Sequence, residues 1–155
     1  MAQAFIYMCV NMIQNKMIST IKEIHNVDVC MFKTGGFYHV FGRDADIISY
    51  LFDYKIKDTN GSKECGFPIS SVNKVTAKLQ EAKINYLLLD RRNNFDVDER
   101  GDYKNLNRYM EYYKKANKYV NVKRRIQNIN SYLLENIDVL VDNDIIRRIE
   151  EMIYG

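Results

Sequence analysis

Cys30-Met31-Phe32-Lys33-Thr34-Gly35-Gly36-Phe37-Tyr38-His39-Val40-Phe41-Gly42-Arg43-Asp44-Ala45-Asp46 is the stretch that decides the fold. It reads as a strand, a glycine turn, an aromatic pair, the end of a second strand and the start of a helix. Val27 to Phe32 is a short apolar run that suits a buried strand. Gly35-Gly36 makes a turn where positive φ is accessible, and Phe37 to Phe41 returns as the second strand of a hairpin. Aromatics placed directly after two glycines stand at the lip of a sheet, where the backbone can approach a ligand closely. Asp44 or Asp46 caps the next helix, which runs through Ile47, Ile48, Leu51 and Phe52.

Upstream, Ala4 to Ile24 reads as an amphipathic helix. Ile6, Val10, Ile13, Met17, Ile21 and Ile24 recur at spacings of three and four, and Asn26 stops it. Downstream, Tyr54 to Lys57 is a candidate strand and Asp58-Thr59-Asn60-Gly61-Ser62 a loop. Cys65-Gly66-Phe67-Pro68 leads into a helix with Ser70 or Ser71 as cap and Val72, Val75, Leu79 and Ala82 as its apolar face. Asn85 to Asp90 is a buried strand. Strands alternating with helices give an α/β fold, a mixed sheet flanked by helices, over residues 1–90.

Arg91 to Gly101 is a polar break without hydrophobic periodicity. After it residues 102–155 read as a helical appendage. Leu106, Tyr109, Met110, Tyr113, Ala116 and Val120 form one stripe. Val122, Ile126, Ile129 and Leu133 form a second stripe out of phase with the first, so a bend is expected near Asn121. Asp138 to Ile153 is a final amphipathic helix.

The 155 residues, 46% apolar and 28% charged, describe a globular chain large enough for one core and an appendage. A single proline and seven glycines argue against disorder. Twelve tyrosines beside no tryptophan supply apolar rings with polar tips, which suit binding surfaces as well as half-buried sites. Cys9, Cys30 and Cys65 are odd in number and far apart, and only His25 and His39 could assist them. No metal site or cofactor is expected, and the cysteines read as buried thiols in a reducing cytoplasm. Met1 to Ile13 lacks the basic start and cleavage site of a signal peptide. No apolar run has the length of a membrane span.

The hairpin stretch resembles the N-terminal, mismatch-reading domain of the MutS mismatch-repair family, whose signature runs roughly Phe-x-Met-Gly-Asp-Phe-Tyr-Glu-x-Phe-x-x-Asp-Ala. Three blocks carry the likeness in order and spacing. They are Phe32 to Phe41 with Asp44-Ala45 behind it, then Cys65-Gly66-Phe67-Pro68, then the helix with Val72, Val75, Lys78-Leu79 and Ala82 followed by a strand. Together they cover roughly residues 15–90. The resemblance implies the family's α/β fold and nucleic-acid binding without catalysis. It implies that Phe37 matches the aromatic that wedges beside a mismatched base from the minor groove, a contact that stacks ring on base and kinks the duplex. The family's glutamate two residues later, which hydrogen-bonds the displaced base, is His39 here, and the aspartate before the phenylalanine is Gly36. Histidine can donate, accept or carry charge, and its presence removes the fixed anion from that position. The resemblance implies that Phe37, Tyr38 and His39 contact bases or a groove, with Lys33, Gly66 and Phe67 as further nucleic-acid-binding candidates. Small free-standing proteins similar to this domain accompany the reverse transcriptase of diversity-generating retroelements, which implies an RNA or RNA–DNA hybrid ligand as an alternative to mismatched DNA.

Phe37 and Phe41 fall on one face of their strand, so a core role stands beside the contact role. A second candidate region is basic. From Tyr103 to Arg125 there are eight cations against Glu111 as the only anion, a net +7, interleaved with five tyrosines. Lys114, Lys115, Lys118, Lys123, Arg124 and Arg125 suit a phosphate backbone with splayed bases. Glu135 to Glu151 inverts the sign, with six carboxylates against Arg147 and Arg148, so the basic face can equally be neutralised by a neighbouring helix, within the chain or between subunits. The rival reading is therefore a protein-interaction adaptor or homodimer built on the C-terminal helices.

Catalysis has little to stand on. Gly61 to Gly66 has the glycine spacing of a phosphate loop but continues Phe67-Pro68, without the lysine, so no ATP-driven cycle is expected. Asp58 with Glu81-Ala82-Lys83 imitates a nuclease metal site, but the triplet falls at a helix end rather than on a strand. His25, at the end of a helix, reads as a C-terminal cap.

Overall fold

The hairpin forms from β1 (Val29–Thr34) and β2 (Phe37–Phe41), paired antiparallel with Phe32 opposite His39 and Thr34 opposite Phe37. Gly35 takes φ +60° in the turn between them, a conformation that side chains resist. The computed structural model that shows this describes residues 1–59 and 61–155.

β3 (Ile56–Thr59), β4 (Ser62–Pro68), β5 (Tyr86–Asp90) and β6 (Asp96–Gly101) complete a six-stranded sheet in the order β3-β4-β2-β1-β5-β6. Only the β1–β5 pairing is parallel; the other four are antiparallel. The sheet is thus mixed, as the alternation of strands and helices implied. The central strands β1 and β5 are apolar along nearly their whole length because both their faces are covered. The edge strands β3 and β6 are charged, which discourages further pairing.

Helices α1 (Ala2–Ile24), α2 (Arg43–Phe52), α3 (Val72–Glu81) and α4 (Tyr109–Glu135) are joined by two short C-terminal helices, α5 (Ile137–Val141) and α6 (Ile145–Tyr154). The chain divides into two compact units, Met1–Asn117 and Lys118–Gly155.

In the first unit the sheet has two differently clothed faces. Val29, Met31, Tyr38, Val40, Cys65, Phe67, Tyr86 and Leu88 point to one face and pack with Ile47 and Ile48 of α2, Val75 and Leu79 of α3, and Tyr109 and Ala116 of α4. Cys30, Phe32, Leu87, Leu89 and Phe95 point to the other face, where Phe41 and the α1 residues Met17, Ile18 and Ile21 cover them. On the first half of α1, Phe5, Ile6, Tyr7, Met8, Met12 and Ile13 are all exposed.

Several expectations need correction. Arg91 to Gly101 is not a break: its second half is β6, whose solvent-facing charges hide the period of two. Gly101 is required there, since a Cβ at this position would lie 2.3 Å from Cε1 of the buried Tyr86. The α/β unit extends to Asn117 instead of closing at residue 90, because Tyr109 and Ala116 belong to its core. Asp58, Thr59 and Ser62 lie in β3 and β4 instead of a loop, while Asn60 of that stretch lies outside the described residues. α4 runs through Asn121 uninterrupted. The final helix is two, parted at Asp142 to Asp144, because the Asn143 side chain takes up local backbone bonds to Val139 and Ile145.

Neither Asp44 nor Asp46 caps α2 with its side chain. Asp44 is almost fully buried and accepts hydrogen bonds from the Cys30 amide at 3.0 Å and the Tyr109 hydroxyl at 2.6 Å, and pairs with Lys22 at 2.8 Å. It therefore ties α1, β1 and α4 to α2. Burial pushes its carboxyl up, opposed by Lys22 and the two hydrogen bonds. Asp46 likewise holds Lys63 of β4 at 2.9 Å. Buried carboxylates must be paired, and the pairing here is tertiary. His25 does sit at the C-cap of α1, and its Nδ1 lies 3.0 Å from Asp28.

Candidate nucleic-acid interface

Successive strand residues alternate between faces, and this divides the hairpin's candidates. Tyr38 pairs with Phe67 across β2 and β4, and with Lys33 across β1 and β2. Tyr38 is 4% exposed and Phe67 1%, with their rings stacked 5.7 Å apart between the sheet and its helices. Neither ring is a contact residue; both are core. Burial pushes the Tyr38 hydroxyl up from its ordinary value. Lys33 points to the same side and lies 3.8 Å from Asp90. Lys33, Tyr38 and Phe67, three of the sequence-derived candidates, thus stand on the other face of the sheet from Phe37.

Phe37, His39 and Gly66 stand on the opposite face. Phe37 begins β2 beside the tight turn and is 51% exposed, so the core reading of this ring is set aside. Phe41, four residues on, is drawn into the cluster under α1. Two rings on one face of one strand have different fates because α1 reaches only the second. The Phe37 and His39 rings lie 6.4 Å apart at a tilted angle. Opposite His39 the chain has Gly66, where a Cβ would come within 3.6 Å of the imidazole, ordinary contact distance.

His39 has a partner that the sequence stretch itself does not contain. Its Nδ1 lies 2.5 Å from Oε1 of Glu64, two residues before Gly66 on β4. With Nδ1–H donating to the carboxylate, Nε2 and the second Glu64 oxygen are left to meet a ligand. The anion that His39 displaces from β2 therefore returns from β4, at a sequence separation of 25. This reverses the expectation that the position had lost its carboxylate.

Phe37, His39, Glu64 and Gly66 form one wall of an open groove of about 500 Å³ whose remaining lining is Asp53, Tyr54, Lys55 and Lys57. Lys57 stands directly opposite Glu64 across β3 and β4. The groove thus offers a flat apolar ring, a coupled imidazole–carboxylate pair and two cations beside one carboxylate. Such a set can stack on a base, exchange hydrogen bonds with its edge and meet phosphate oxygens. Glu64, Lys55 and Lys57 were not among the sequence-derived candidates. The only available signal was the strand at Tyr54 to Lys57, which becomes informative once its pairing with β4 is known.

Lys114 and Lys115 are not among the residues that line this groove. Lys114 and Lys115 belong to the first unit and Lys118, Lys123, Arg124 and Arg125 to the second. Lys115 and Arg108 both bind Glu111, at 2.8 and 2.7 Å, an exposed triad that pulls the Glu111 carboxyl down to about 2. Lys115 also lies over the Tyr112 ring and Lys123 over Tyr119. Lys114, Lys118, Arg124 and Arg125 are exposed. Of the nuclease-like triplet, Glu81 pairs with Lys78, and Asp58 accepts from the Gly61 amide. Among the described residues, no three His, Cys, Asp or Glu side chains come together as metal ligands, and no helix is long and apolar enough to cross a membrane.

No curated protein matches the chain. A family model does: MutS domain I, over residues 15–99. The matched span runs from the half of α1 that packs on the sheet into β6, and includes the hairpin, Glu64 and Gly66, and α3. More than half of the chain lies within it, so this protein belongs to the MutS domain I family.

Proposed function

We propose that this chain is a non-enzymatic nucleic-acid-binding module that meets a duplex with the face of β2 and β4 that bears Phe37. One observation carries the reading: Phe37 stands half exposed beside the His39–Glu64 pair, on the lining of an open groove. Family membership supports DNA, and mismatched DNA in particular, as the ligand. Phe37 is the wedge, placed where stacking on an unpaired base contributes about 1–3 kcal/mol. Glu64 and His39 together take the hydrogen-bonding place that a single glutamate holds in the family pattern. Lys55 and Lys57 contact phosphates, which position the duplex without reading it.

The test is fluorescence anisotropy with matched duplex, single-mismatch duplex, single-stranded DNA, RNA–DNA hybrid and structured RNA, each at low and physiological salt. The mismatched duplex is expected to bind tightest. Lys57→Ala should weaken all duplexes alike and flatten the salt dependence. Glu64→Gln should narrow the gap between mismatched and matched duplex while leaving general affinity in place. A preference for RNA or single strands moves the ligand class, and no binding at either salt overturns the reading.

A further inference from the structure

We propose that residues 118–155 form a two-fold homodimerisation module whose partner is the same segment of a second copy. This unit, Lys118 to Gly155, encloses little core of its own. Leu140 is its single residue below a tenth exposed among those described. Its apolar side chains are nonetheless patterned and not scattered. Val122, Ile126 and Ile129 follow one stripe of α4 and are all more than half exposed. Ile145, Ile146 and Ile153 extend along α6, also exposed. Between them Leu133, Leu134, Ile137, Leu140, Val141 and Ile146 line an open apolar cup. A surface of this kind on a soluble chain marks an interface.

Charge chooses the occupant. Lys118, Lys123, Arg124 and Arg125 lie in a stretch without a carboxylate. The next nine residues, Ile126 to Leu134, carry no charge. Glu135 to Glu151 then holds six carboxylates against two arginines. The two ends therefore carry +4 and −4. A two-fold interface brings patch one of each copy against patch two of the other, so a surface with matched opposite ends and an apolar middle is complementary to itself. A phosphate backbone would satisfy the basic end and be repelled by the acidic one. A purely apolar partner would leave both ends desolvated without pairing. A second copy satisfies the basic end, the apolar stripe and the acidic end together.

The test uses the full chain, without nucleic acid, in sedimentation velocity at micromolar concentration. Wild type is expected to sediment as a dimer, and Ile126→Lys with Ile129→Lys as a monomer with unchanged far-ultraviolet circular dichroism. Two charge variants guard against simple misfolding. One carries Lys118→Glu, Lys123→Glu, Arg124→Glu and Arg125→Glu; the other carries Glu135→Lys, Asp138→Lys and Glu150→Lys. Each alone should be monomeric, and the equimolar mixture should form a heterodimer, because each interface then pairs a net-acidic with a net-basic surface. A monomeric wild type overturns the proposal, whether or not its basic end binds a single-stranded oligonucleotide. So does a trimer or larger assembly, homodimerisation that survives both charge reversals, or a mixture that stays monomeric.

Discussion

Phe37 and Tyr38 are adjacent, both aromatic, and on opposite faces of one strand, so truncating each in turn separates recognition from folding. Tyr38 is 4% exposed and stacked on Phe67. Removing a buried aromatic ring costs about 3–5 kcal/mol, a large share of the roughly 5–15 kcal/mol that holds a domain together. Tyr38→Ala should therefore lower the urea midpoint sharply or leave the chain partly unfolded. Phe37 is 51% exposed. Burying a whole phenylalanine side chain stabilises by about 1.5–3 kcal/mol, so about half of that, roughly 1 kcal/mol, is at stake in Phe37→Ala. Its effect on the ligand should be larger than its effect on the fold. Loss of one stacked base contact weakens binding by about 1–3 kcal/mol, or roughly 5- to 150-fold in Kd. The chain has no tryptophan, so unfolding is followed by circular dichroism and tyrosine fluorescence, and binding by anisotropy with a mismatched duplex. Two results refute the reasoning. One is a Phe37→Ala protein that loses several kcal/mol of stability, which makes the ring core. The other is a stably folded Phe37→Ala protein that binds the duplex as wild type does.

Three further outcomes follow from the first unit. Gly101→Ala should cost about 1–3 kcal/mol by thermal melting, because the added methyl meets a Tyr86 ring held between Gln80 and Glu99, and an unchanged melt contradicts the contact. Burial pushes the thiols of Cys30 and Cys65 up to about 12 and about 11, whereas Cys9 is partly exposed on α1, so maleimide at neutral pH should label Cys9 alone in the native chain, as read by peptide mass spectrometry. Labelling of Cys30 in the folded protein defeats that expectation. Glu111, pulled down to about 2 chiefly by its hydrogen bond from Arg108 and then by Lys115, favours the folded state above the ordinary carboxylate range, and that contribution is lost as pH falls toward 2. Side-chain carboxyl NMR should place its midpoint far below the ordinary glutamate value, moving up in Arg108→Ala; an ordinary midpoint in wild type removes the triad.

Much of the first unit was legible in order along the chain. Apolar runs, the Gly35-Gly36 turn and the helix periods of α1 and α3 are local signals. A mixed sheet followed from them, and the resemblance to the MutS domain I family rested on three motif blocks along the chain. What escaped depended on partners distant in sequence. β6 carries charges on an edge, so its period of two was concealed. Asp44 looks like a helix cap when only its neighbours are considered; its hydrogen bond from Tyr109, 65 residues away, makes it the tie of the core.

The candidate site shows the same division more sharply. The sequence named Phe37, Tyr38 and His39 as contacts and added Lys33, Gly66 and Phe67. Alternation along a strand says that neighbours part company, but it does not say which face is covered. That was decided by α2, α3 and the start of α4 filling one side of the sheet and by α1 reaching Phe41 but not Phe37. The carboxylate beside His39 was beyond any local reading, since only the register of β2 against β4 brings Glu64 within a hydrogen bond of it. Side-chain chemistry and local periodicity are properties of the chain; exposure and partnership arise from packing, and only the packed sheet settled which aromatic belongs to the core and which to the surface.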